Sequence, residues 1–191
     1  NAPGDNKLFS MRDIESKKRR FADTLTNSFL FLETYYTEAP KSLAAKTDIL
    51  DKWVLIRLEK LEFDVNKFLE TYDITSASRA IEEFIDELSN WYIRRSRRKF
   101  QKQTLDAEKI AAQNTLVEVL KRTAILLAPF TPFLAEELYS KLTGDNESIH
   151  LKDWLPAGRV NELVMNDMET VRDYVNQGLR LRAKTGLKVR Q

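Results

Sequence analysis

Residues 81–100 constrain this chain more tightly than any other stretch. Ile81, Phe84, Ile85, Leu88, Trp91 and Tyr92 recur at three- and four-residue spacing, which predicts a helix with one buried face. The same helix then turns basic, through Arg94, Arg95, Arg97, Arg98 and Lys99, with Lys102 just beyond. No Asp or Glu lies between Glu87 and Asp106 to offset these charges. Spread over little more than a turn, the basic residues cannot share one narrow stripe, so the whole C-terminal end of the helix reads as cationic. Two physical readings meet here. Cations at a helix C-terminus gain a few tenths to about 1 kcal/mol from the macrodipole, which accounts for one or two of them but not for this density. A phosphate-binding surface accounts for the rest. The guanidinium fork matches phosphate, and clustered cations release counterions from nucleic acid.

The other segments repeat the helical period. A first helix is expected over about Asp13 to Tyr36, capped by Ser10 or Asp13, with Ile14, Phe21, Leu25, Phe29, Leu32 and Tyr36 on its apolar stripe. Lys17, Lys18, Arg19 and Arg20 crowd one of its early turns. A second, capped by Thr47 or Asp48, runs to about Thr71 with Trp53 squarely on its buried stripe. Tyr72 and Asp73 break it, and the third, from about Thr75 to Phe100, carries the stretch above. A fourth spans about Asp106 to Leu127. Pro129 should stop it and bias Ala128 away from helical geometry. Thr131 is placed to cap a fifth helix with Pro132 in its first position. The stripes predict that Leu88, Trp91, Val117 and Leu127 are buried. Residues 148–156 read as extended. A last helix over about Glu162 to Lys184 presents Val164, Met168, Val171, Val175 and Leu179, and residues 187–190 alternate like the start of a strand.

Composition narrows the class. With 42% hydrophobic and 31% charged residues in 191, the chain suits a folded, helix-rich domain rather than a disordered one. A net charge of only +2 means that a basic surface must be local, with acidic residues segregated elsewhere. The absence of Cys excludes disulfides and Cys-based zinc sites. No apolar run reaches transmembrane length and no secretory signal opens the chain, so the cytoplasm is the expected compartment. Glycine-rich phosphate loops, the Walker pattern and HExxH are all missing. His150, the single His, reads as structural, and Glu136 and Glu137 read as helix N-terminal carboxylates rather than a catalytic pair.

Residues 88–98, Leu-Ser-Asn-Trp-Tyr-Ile-Arg-Arg-Ser-Arg-Arg, resemble the signature helix of the anticodon-binding domain of the isoleucyl-tRNA synthetase family. Valyl relatives share the Trp-Tyr-Ile core but usually carry an acidic residue where Arg94 stands. Residues 20–31 resemble the opening helix of class I synthetase anticodon-binding domains. There a polar residue four before an aromatic faces the anticodon, and the matching pair is Asn27 and Phe31. An Asn offers donors and an acceptor suited to a base edge. A hydrogen bond within the bundle is the alternative role for Asn27. Residues 51–58, 72–81, 127–137 and 148–156 follow the family in order and spacing, as does the end, Leu181 to Gln191. The resemblance spans about residues 9–191.

It implies an all-α antiparallel helical bundle with a short C-terminal helix-strand extension. Residues 1–8 read as a leader or cloning remnant, 9–155 as the bundle, and 156–191 as linker, helix and the truncated start of a C-terminal region. The expected role is non-catalytic binding of isoleucine tRNA by a monomer, through Asn27, Arg94, Arg95, Arg97, Arg98, Lys99 and Lys102. The nucleotide motifs of class I synthetases, His-x-Gly-His and Lys-Met-Ser-Lys-Ser, do not occur. The resemblance therefore places ATP, magnesium and isoleucine in a catalytic domain of a longer parent chain, of which this is a piece. No catalytic, cofactor or metal residue is expected in this piece. The rival readings are the same domain from a valyl, leucyl or methionyl enzyme, and a helical protein-interaction module with an incidental basic face.

Overall fold

Helices begin where the sequence supplies a side-chain cap. In the computed structural model, which describes residues 10–38, 45–158 and 161–186, α1 covers 11–35 and starts at Ser10, whose hydroxyl accepts the Asp13 N–H at 3.4 Å. Helix α2 (Ile49–Glu70) opens with a reciprocal cap. The Asp48 carboxylate accepts the N–H groups of Leu50 and Asp51 at 3.0 Å, and Asp51 accepts the Asp48 N–H at 3.1 Å. Asp73 caps α3 (74–100), and Asp106 caps α4 (Ala107–Leu127). Helices α5 (Pro132–Thr143) and α6 (Glu162–Thr185) complete the described residues, among which no strand occurs. The expected leader at 1–8 and the strand-like 187–190 lie outside them.

The core lies where α2, α3 and α4 face one another, with α1 and α5 closing the sides. Trp53, Phe84, Leu88, Tyr92, Leu116 and Leu126 are fully buried there, Trp53 as its stripe predicts. Two of the stripe assignments need correction. Leu88 and Leu127 are buried, but Trp91 and Val117 are only half-buried at the margin of the core. Ile14, Tyr36 and Leu179, at helix ends, are largely exposed.

The reason for Trp91 is a change of helical pitch. Residues Leu88–Ile93 form a wider π turn, in which the Arg94 N–H reaches back to the Ser89 carbonyl. The buried set then advances through Leu88, Tyr92, Ser96 and Phe100, four residues at a time. A straight α-helix would alternate threes and fours and turn Trp91 and Arg95 inward. The extra residue in the turn leaves both on the outer flank, facing α6. A second π turn, Arg19–Asp23, interrupts α1, and the Thr24 hydroxyl donates to the Arg19 carbonyl there at 3.1 Å.

Three local expectations change. Ala128 keeps helical angles (φ −51°, ψ −41°) despite the following proline. The turn holds it, because the N–H groups of Phe130 and Thr131 both donate to the Leu127 carbonyl at 2.9 Å. Thr131 stands at the N-cap of α5, but its hydroxyl makes no capping bond and is buried without a partner among the described residues. Within 148–156 the chain makes a 3₁₀ turn, Ile149–Leu151, rather than running extended throughout. Glu136 forces that turn by accepting the Ser148 hydroxyl at 2.8 Å and the Ile149 N–H at 3.0 Å.

Helix α6 buries no residue fully. Half-buried Val164, Met165 and Met168 rest on the bundle, while Val171 is 50% exposed. The approach to α6 requires Gly158, since a side chain there would collide with the backbone carbonyl of Glu59. Arg172 fastens the helix by pairing with Glu87, which also holds Arg57 at 2.7 Å.

Candidate nucleic-acid interface

The C-terminal end of α3 and the residues just beyond it sort six basic side chains by their surroundings. Lys99 turns inward. It pairs with Asp48 and, at 3.4 Å, with Asp51, and its side chain is only 15% exposed. Asp51 is fully buried and accepts the Tyr92 hydroxyl at 2.8 Å. Burial raises the Asp51 carboxyl above its ordinary range. At Asp48 burial acts the same way, but Lys99 and the Asp51 N–H prevail and hold that carboxyl low. Lys102 bonds to Asp106 at 2.6 Å and Glu108 at 2.7 Å, and these two carboxylates raise its pKa. The cationic run therefore has acidic partners after all. Those of Lys99 come from the start of α2, and those of Lys102 from the start of α4.

Arg94, Arg95, Arg97 and Arg98 are exposed. None of the four has a carboxylate partner among the described residues. Arg94, Arg95 and Arg98 follow Trp91 at three, four and seven residues, and so share its face. The Arg95 guanidinium lies 3.2 Å from the Trp91 ring centroid, and Arg172 approaches the same ring at 5.5 Å. Partial burial, followed by the neighbouring charges of Arg94 and Arg172, shifts the Arg95 pKa down. Arg97 points the other way, toward α1, with its guanidinium 5.7 Å above the Phe31 ring.

Phe31 joins the two halves of this surface. It packs edge-on against Phe100 at 5.1 Å and against Tyr35 at 5.0 Å, and Gln101 donates to the Tyr35 hydroxyl at 3.1 Å. Asn27 lies one turn before Phe31, exposed, and its amide takes no hydrogen bond among the described residues. Asn27 thus stands open on the face of α1 that carries Phe31, over which Arg97 lies, and the alternative of a hydrogen bond inside the bundle is not seen among the described residues. The earlier basic run is less free. Lys17 pairs with Glu82 at 2.8 Å, and Arg19 sits 3.6 Å from Glu15.

Comparison with known families decides the assignment. Residues 51–191 match the family model described as the anticodon-binding domain of tRNA ligase. The chain belongs to that family. This anticodon-binding domain is 41% identical to an isoleucine–tRNA ligase of Dehalococcoides mccartyi over 99% of the chain and 20% of the relative. It is 41% identical to one of Deinococcus radiodurans, covering 99% of the chain and 18% of the relative. A Bacillus thuringiensis isoleucine–tRNA ligase is 40% identical over the full chain and 19% of its own length. The domain thus spans about a fifth of the curated relatives that it matches. Two features of its surface had no local signal in sequence. Arg172 and Met168 reach Trp91 from α6, far along the chain, and Asp48 and Asp51 reach Lys99 from α2.

Proposed function

We propose that this chain is the tRNA-reading module of an isoleucine–tRNA ligase, binding the anticodon stem-loop of isoleucine tRNA and catalysing nothing itself. One observation carries the reading: four exposed arginines without carboxylate partners among the described residues crowd the end of α3, and one of them, Arg97, lies over Phe31, one turn along α1 from the exposed Asn27. Phosphate contacts by arginine position an RNA, and an amide at a base edge specifies it. Lys99 and Lys102 contribute less to this surface than the arginines, because carboxylates already hold them.

On this reading residues 9–155 form the binding bundle, residues 1–8 are a leader or cloning remnant, and 156–191 are linker, helix and the start of a following region. Transfer of isoleucine to the tRNA, with ATP and magnesium, belongs to a catalytic domain of the longer parent. Among the described residues no three His, Asp or Glu side chains are grouped to hold a metal ion. No helix among the described residues is long and apolar enough to cross a membrane. A monomer working in the cytoplasm is the setting that a translation enzyme of this kind implies.

Binding of the chain to isoleucine tRNA, followed by fluorescence anisotropy across a salt series, tests the proposal. The expected result is weak binding whose logarithmic affinity falls steeply with salt, and a preference over the same tRNA carrying a valine anticodon. Binding without that preference assigns the domain to another class I synthetase. Binding of neither RNA would leave a protein-interaction module as the function.

A further inference from the structure

The α3–α6 junction holds a feature that phosphate binding does not use. A cavity of about 330 Å³ opens beside Trp91, walled by Ile49, Leu50, Val164, Met168 and Val171, with Asp167 at its edge. That volume lies in the lower part of the range of about 300–1,000 Å³ for small-ligand sites. Its remaining wall is the Arg95–Trp91 stack, with the guanidinium 3.2 Å from the ring centroid. The stack is held on both sides. The Trp91 Nε1–H donates to the Met168 Sδ at 3.3 Å, and Arg172, fixed by Glu87, lies over the same ring. Arg94 and Arg98, exposed and without carboxylate partners among the described residues, flank the stack on its own helix face.

A flat cationic plane backed by an indole, an apolar wall and two adjacent arginines match one ligand chemistry: a planar aromatic ring linked to phosphate. Unstacked bases of single-stranded RNA are bound in this way, on aromatic rings or guanidinium planes, while duplex RNA keeps its bases inside. We infer that the cavity between α3 and α6 is a nucleobase pocket, in which one unpaired base of the bound RNA stacks on Arg95 over Trp91 with its phosphates on Arg94 and Arg98. Asp167 is placed to accept an exocyclic amino group, which would favour adenine, cytosine or guanine over uracil. The inference rests on the RNA-binding reading and adds to it a second subsite, across α3 from Asn27 and Phe31.

The test compares the 191-residue chain with three variants, Trp91→Leu, Arg95→Ala and Val171→Phe. Each is titrated with a single-stranded RNA of mixed sequence and with a blunt duplex matched in phosphate number. Val171→Phe fills the cavity while keeping the stack, so the test survives if Trp91→Leu disturbs the docking of α6. The expected result is a loss of roughly five- to hundredfold in affinity for the single strand in each variant, with duplex affinity falling much less. Equal losses on both RNAs in Arg95→Ala, together with no loss in Val171→Phe, would make Arg95 a phosphate ligand and overturn the pocket. A chain that retains neither RNA would overturn the RNA reading itself, and the duplex arm makes that outcome distinct.

Discussion

Ser96 is buried in α3, and its hydroxyl has no hydrogen-bond partner among the described residues. A buried, unpaired hydroxyl is a cost that alanine removes while keeping the helix. Ser96→Ala should therefore leave stability unchanged or raise it by up to about 1 kcal/mol, read from urea unfolding. The opposite sign is expected at Arg122, which donates to Glu62 at 2.7 Å through Nε and closes a side chain that is only 3% exposed. Burial raises the Glu62 carboxyl above its ordinary range, and Arg122 opposes that rise. Arg122→Ala leaves a buried carboxylate alone, at a cost of about 3 kcal/mol near neutral pH. The sign of the pH dependence follows from linkage. An acid whose pKa is raised on folding destabilises the native state once ionised, and that penalty disappears as pH falls through the folded pKa. Without Arg122 the Glu62 pKa rises further. The deficit of the variant against the parent chain should then be largest at neutral pH and shrink on acidification, in paired denaturation curves at pH 7 and pH 5. A deficit that grows toward pH 5 would show that Glu62 is not the group responsible.

Among the elements, α6 is held differently from the rest. Val164, Met165 and Met168 pack on the core only half-buried, and Arg172 ties the helix to Glu87. Arg172→Ala should cost about 2 kcal/mol, typical for a hydrogen bond to a charged group. It leaves Glu87 its bond to Arg57. Hydrogen exchange should therefore quicken along Glu162–Thr185 and stay unchanged in α2 and α4, since local openings follow local stability. Uniform acceleration would show that α6 is an integral part of the core. The contrast also marks how far the chain could be read without its structure. Most helix boundaries follow from caps and periodicity, which are local: Asp48 caps α2 as its position suggests, Asp73 proves to be a cap as well as a break, and Thr131 marks the start of α5 without a capping bond. The π turn at Leu88–Ile93 is not local in origin. It leaves Tyr92, Ser96 and Phe100 in the core and Trp91 and Arg95 facing outward. The neutralisation of Lys99 was equally illegible, because Asp48 and Asp51 lie about fifty positions away and meet it only on folding.

For the molecule as a whole, a net charge of +2 leaves no general attraction to RNA, so binding must come from one surface. On that surface the roles of arginine and Asn27 can be separated. Arg94 and Arg98 are exposed and have no carboxylate partner among the described residues, and each phosphate contact to a single strand contributes about 0.7 to the slope of log affinity against log salt. Replacing both with Ala should lower the slope by about 1.4 if each touches one phosphate. Helix content should stay the same, because alanine is at least as good a helix former as arginine. Asn27→Ala removes no charge. Its salt slope should match that of the parent chain, while the ratio of affinities for isoleucine tRNA and an anticodon-swapped tRNA falls toward one, because base contacts specify and phosphate contacts position. Circular dichroism and anisotropy titrations on both variants, with both tRNAs, measure all of these quantities. A double arginine variant with an unchanged slope would move the RNA to another face. The next most basic is the early part of α1, where Lys18 and Arg20 are exposed beside Lys17, which is already paired with Glu82. An Asn27→Ala variant that loses affinity equally for both tRNAs would make Asn27 a positioning contact, and anticodon discrimination would then rest on other residues of the surface.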